Sequence, residues 1–329
     1  MTPLVMPSER QLFSAAFVIV VLISAVLAGT APVGFTLVTF CIFGAPHNFC
    51  EYRYFLSRLP SRLGPLKPFF ITSFAGVTVL FLMELAMIAL IRMNAISAPS
   101  ATTILLVWNE LLIFWILALS LIRYRRHFGE LLVGNILIAS IASVGNFLSP
   151  YAFSLVVSYV HPLLGLWILD RELLRTRKDW VKPYRLCLLT VPVSVLCLGL
   201  WLLGQSLPAG MVSTISTNIG SRIFASPTSP LFLGLFGFLQ MVHYGIWVVA
   251  IPVAAQGWRR WRLNRIPVLR NRQNLRRVMA AVVLLGLVAM VSFWIGFRVD
   301  YTTTNEIYVT VATLHVLAEI PFLFWMCES

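Results

Sequence analysis

The 329-residue chain is 59% hydrophobic and only 11% charged, where a soluble protein would carry roughly a quarter charged residues. That composition excludes a water-soluble globular domain. Its formal net charge of +13 must therefore be explained by membrane topology or by headgroup contact before nucleic-acid binding is considered.

Apolar runs of about 20 residues, the length that crosses a bilayer, recur from end to end. They predict an all-α, polytopic helical bundle with one transmembrane domain over 1–329. The first span, 11–29, lacks a small-residue cleavage site and is closely followed by another, so it reads as retained. The second, 33–52, ends in "FGAPHNFCE", which puts His47 and Glu51 one helical turn apart on one face. The third, 68–91, holds Glu84, and the fourth, 101–122, holds Asn109 and Glu110. The fifth, 130–148, meets the sixth, 151–170, in a tight hairpin at Ser149 and Pro150. His161 lies in the sixth, with Asp170 at its end and Glu172 just beyond. A seventh span covers 185–204, and an eighth, 229–253, contains His243. The ninth is 279–297, and the tenth, 305–326, carries His315 and Glu319, again one turn apart.

With the amino terminus cytosolic, 22 of the 25 basic residues fall in cytosolic segments, leaving Arg92, Arg222 and Arg298 on the other face. That asymmetry follows the positive-inside rule and predicts both termini on the cytosolic side of the plasma (inner) membrane. The stretch "WRRWRLNRIPVLRNRQNLRR" mixes basic and aromatic residues in a way that can bind nucleic acid. Beside a membrane it reads better as contact with anionic lipid, and no nucleic-acid partner is expected. His127 sits among arginines and reads as a solvated interface residue. Cysteines 41, 50, 187, 197 and 327 show no paired spacing and read as small core residues.

His47, His161, His243 and His315 lie on four spans that all run toward the cytosol, at depths within roughly 10 Å of one another at 1.5 Å per residue. Ionisable groups inside a bilayer are costly unless they face an interior or cavity. Singly, each could serve as a hydrogen-bonding link between helices. Four together, two with a carboxylate at i+4, predict a shared metal or cofactor site, because neutral imidazole ligates Zn, Cu, Fe and Ni. Glu51 and Glu319 are then the carboxylates that offset the ion's charge and orient the rings. Pro46, Pro162, Pro252 and Pro321 permit kinks near the histidines. Gly44 and Gly245 suit close approach of a helix or substrate.

"FGAPHNFCE" resembles the opening signature of the Brp/Blh family, the integral-membrane β-carotene dioxygenases of bacteria and archaea. "YVHPLLGLWILD", "MVHYGIW" and "TLHVLAEIPF" follow in the order of that family's later histidine segments. Asn48 replaces the family's glycine, Glu51 its usual aspartate, and Tyr244 and Trp247 stand where a second histidine is expected. The resemblance implies Fe(II) held by His47, His161, His243 and His315, while the residues by themselves leave Zn or haem as lesser alternatives. It also implies O2 as co-substrate and a lipid-soluble polyene such as a carotenoid as substrate. Glu51 and Glu319 would assist catalysis, and Phe49, Tyr244 and Trp247 would line the substrate's route. A haem-binding electron-transfer protein, a proton-coupled transporter and a structural subunit remain as other readings.

Overall fold

A computed structural model describes residues 8–58, 64–124, 128–206, 229–256 and 273–326. His127, Cys327 and most of the basic 258–277 stretch lie outside the described residues. In chain order the helices are α1 (Glu9–Thr30), α2 (Pro32–Arg58), α3 (Lys67–Arg92), α4 (Ala98–Arg123), α5 (Phe128–Leu148) and α6 (Pro150–Thr176). They continue with α7 (Lys178–Cys187), α8 (Thr190–Leu202), α9 (Pro230–Gly245), α10 (Gln273–Val299) and α11 (Tyr301–Met326). Among the described residues there is no strand. Among the described residues nine segments are long and apolar enough to span a membrane, and Leu132–Leu148 is a shorter apolar helix. Each expected span therefore coincides with a helix, and the chain is a polytopic helical membrane protein.

Local chemistry accounts for the boundaries. Ser8 and Gln11 form a reciprocal capping box at the start of α1. Prolines stand in the first turns of α3, α4 and α9, where the missing N–H costs nothing. The basic stretch between the sixth and seventh expected spans is helical. α6 continues to Thr176, and α7 is an amphipathic helix that precedes the apolar α8. Its apolar face explains this. Trp180, Val181 and Tyr184 are buried, and Trp180 and Tyr184 pack their rings on Phe13 and Phe17 of α1. The Tyr184 hydroxyl donates to the Leu166 carbonyl at 2.8 Å, and Arg185 makes a two-pronged ion pair with Asp170 at 2.8 and 2.9 Å.

The chain forms two compact units. The first comprises α1, α2 through Glu51, α6 from Tyr159, then α7, α8 and α9. Its centre is α9, with 67% of its membrane window buried. Gly237 of α9 lies against Thr36 so closely that an added Cβ would fall 2.3 Å from the Thr36 hydroxyl. That hydroxyl donates to the Leu233 carbonyl at 3.1 Å, so the glycine lets two backbones meet as small residues do in membrane packing. The second unit holds Tyr52 onward in α2, then α3–α5, α6 through Ser158, α10 and α11. Phe69 and Leu80 from α3, Leu112, Trp115 and Leu119 from α4, and Leu317 from α11 make its core. Indole N–H groups of Trp108 and Trp115 donate to α3 carbonyls at 2.9 Å. α10 contributes no buried residue.

Candidate metal centre

The first unit gathers three of the predicted histidines. His47 and Glu51 project from one face of α2 and are 1% and 2% exposed, in keeping with their i, i+4 spacing. His243 on α9 is fully buried, and His161 on α6 is 7% exposed. The ring centres of His47 and His243 are 5.4 Å apart, and those of His161 and His243 are 4.7 Å apart. One ligand-capable atom from each of His47, Glu51 and His243 lies within 4.8 Å of the other two. A buried histidine and glutamate group of metal-ligating composition therefore exists inside apolar helices.

Backbone chemistry orients His243. Its Nδ1 lies 3.2 Å from the carbonyl of Pro162, one residue beyond His161. A carbonyl can only accept, so this contact places the proton on Nδ1 and leaves the Nε2 lone pair as the ligand. Such a contact is the usual orienting partner of a metal-bound imidazole. Gly165 makes room for it. A Cβ there would stand 3.0 Å from His243 Nδ1 and 3.6 Å from Trp247 Nε1. Gly245, expected to permit close approach, has ordinary space, since the nearest atom to an added Cβ is Val20 Cγ1 at 3.7 Å.

Two aromatic residues complete the surroundings. Tyr244 lies nearly flat on His47, with ring centres 4.1 Å apart and planes 29° apart. Trp247, fully buried, stands 6.3 Å from His243. Phe49 is half-buried, and two residues from His47 it leaves α2 on nearly the opposite side. Just past Tyr244 the chain widens into π-helical turns at Ile246–Ala250 and Pro252–Gln256, a departure that is frequent at functional sites.

His315 and Glu319 belong to the second unit, one turn apart on α11, with Glu319 1% exposed and His315 half-buried. The other intramembrane acids have their own partners. Glu84 on α3 accepts from the Thr313 hydroxyl at 2.9 Å. Glu110 on α4 accepts from Ser143 and Asn146 of α5, each at 2.8 Å. Asn146 also donates to the Leu106 carbonyl and accepts from Asn109, which in turn accepts from Ser154. Sequence reading passed over the Pro162 carbonyl, Gly165 and Asn146. Gly165 did leave a trace, being one turn from His161 on the same helix face.

The chain matches no protein-family model, and it has no match among curated proteins or solved structures.

Proposed function

We propose that this protein is a membrane-embedded non-haem iron oxygenase that acts on a lipid-soluble polyene, a carotenoid or a compound like one. The convergence of His47, Glu51 and His243 carries this reading. Two imidazoles and one carboxylate form the donor set of non-haem Fe(II) sites that keep open positions for O2. In this reading Glu51 is itself a ligand, supplying negative charge inside a low-dielectric interior, rather than acting from one shell out. His161, beside His243, and His315, on the strength of the sequence pattern alone, are the further candidate ligands. The resemblance of "FGAPHNFCE" to the Brp/Blh signature supports the same chemistry.

Bound iron would supply O2 activation beside an electron-rich double bond. The chain's own residues do the rest. The Pro162 carbonyl holds the His243 tautomer, and Tyr244 covers one face of His47. Apolar helices keep water away, and they admit a substrate already dissolved in the bilayer. Glu319 keeps the assisting role that the resemblance implies. Tyr244 stands beside His47 and His243, Trp247 stands beside His243, and Phe49 would act further along the route. A bare ion suits the site better than haem, because a carboxylate joins the two imidazoles and an aromatic ring already covers His47.

Zinc is the alternative ion, and buried histidine with glutamate also suits a proton-coupled transporter. Both termini are proposed to be cytosolic, in the plasma membrane. Elemental analysis and an absorption spectrum of detergent-purified protein test the reading together. Stoichiometric iron without a Soret band is expected. Zinc alone, a Soret band, or no metal at all would each overturn it.

A further inference from the structure

The exposed side of α7 and α8 bears a pattern that the metal site does not use. Leu186, Leu189, Val193, Leu196 and Leu200 are each 58–68% exposed and recur every three or four residues. They form one continuous outward stripe along the apolar span. Stepping back by one turn twice from Leu186 reaches Lys182 and Lys178, both exposed, so the same stripe ends in two ammonium groups.

The neighbouring cations are engaged elsewhere. Arg185 is paired with Asp170, Arg175 with Glu172, and Arg177 with Glu9 and the face of Trp180. Arg171 lies over the ring of Trp167. Lys178 and Lys182 take part in no ion pair among the described residues. The exposed carboxylate in the same turn, Asp179, is about 100° round the helix from Lys178.

We propose that this stripe is a binding site for an anionic phospholipid of the surrounding bilayer. Lys178 and Lys182 hold the phosphate between them, and the acyl chains lie along Leu186, Leu189, Val193 and Leu196. The dimensions agree. Lys182 to Leu196 is about 21 Å along the helix at 1.5 Å per residue, comparable to one leaflet with its headgroup layer. A zwitterionic lipid carries its own compensating ammonium and gains less from the two lysines. The buried face of α7, fixed on Phe13 and Phe17, keeps the lysines on the outside.

The full-length protein in mild detergent is titrated with phosphatidylglycerol, phosphatidylcholine or inorganic phosphate while its thermal midpoint is followed. Phosphatidylglycerol should raise the midpoint saturably, phosphatidylcholine much less, and inorganic phosphate not at all. Each single change, Lys178→Gln or Lys182→Gln, should weaken the apparent affinity for phosphatidylglycerol about fivefold. Lys178→Arg should retain it. Equal response to both lipids, or full affinity in both glutamine variants, overturns the site. Stabilisation by inorganic phosphate alone assigns the lysines to a soluble anion and overturns the lipid as occupant. Should a glutamine variant fail to fold, phosphatidylglycerol co-purifying with the arginine variant and not with Lys→Gln at the other position decides the same question.

Discussion

Each unit holds a group of polar side chains among its apolar helices. In the second unit, Glu110, Asn146, Asn109, Ser143 and Ser154 are joined carboxylate to amide and amide to hydroxyl, with contacts of 2.8–3.2 Å. Donors and acceptors match, and the network ties α4 to α5 and to the start of α6. In the first unit, His161 and His47 each stand against the His243 ring, Glu51 lies beside His47 and His243, and a backbone carbonyl orients one ring. Hydrogen-bonding groups that complement one another are a fastening between helices. Several lone-pair donors directed at a common point are suited to holding a cation. The cost of polar groups in a bilayer is common to both, so burial alone does not separate a fastening from a site.

Substitutions can break that contrast or sharpen it. The largest effect is expected from His243→Ala or His47→Ala, which should remove most of the bound metal while membrane expression persists. His161→Ala tests whether the third ring is also a ligand, and His315→Ala asks the same of the second unit. Metal content per protein at the wild-type level in all of them would falsify the centre. Glu51→Gln should weaken metal retention by more than the roughly 10- to 100-fold that loss of an outer-shell partner costs, whereas Glu84→Gln and Glu110→Gln should leave it unchanged. An equal loss in all three would return Glu51 to the class of fastenings.

Asn146→Ala removes three hydrogen bonds and should destabilise the protein by roughly 1–2 kcal/mol, with metal content preserved. Thermal denaturation with metal analysis of the same sample checks both halves. Gly165→Ala should lower metal affinity modestly, because its Cβ crowds the His243 ring. Gly286→Ala on α10, where nothing lies within 4 Å of the added methyl, should stay within about 0.5 kcal/mol of the parent in unfolding.

The spans were legible because hydrocarbon imposes a length and a composition on any helix that crosses it. The pairing of His47 with Glu51 was legible because it is local, one turn of one helix. α7 escaped notice because its charges mask a 3.6-residue pattern of Trp180, Val181 and Tyr184. Asn109 and Glu110 stood out as polar residues in an apolar run, but their partner Asn146 lies 36 and 37 positions away, with no periodicity linking them. Likewise, the common depth of the histidines made their meeting plausible. The Pro162 carbonyl that orients His243 could not be read, because backbone groups are the same at every position. α9 and α10 are both apolar along their length, yet 67% of one membrane window is buried and 0% of the other. Hydropathy measures affinity for an oily surrounding and is indifferent to whether lipid or protein supplies it.

The wide turns that follow Tyr244 change the register of the span that α9 begins. A π turn accommodates an extra residue, and the regular hydrogen-bond register is interrupted there. His243 and Tyr244 are therefore set by the rigid stretch upstream, anchored through Gly237 and Thr36. The wider turns through Gln256 carry the side chains that follow round by a different angle from that of a regular helix. Deleting one residue between Ile246 and Ala250 should restore regular helical register over that turn and swing every later side chain of the span by about 100° relative to His243.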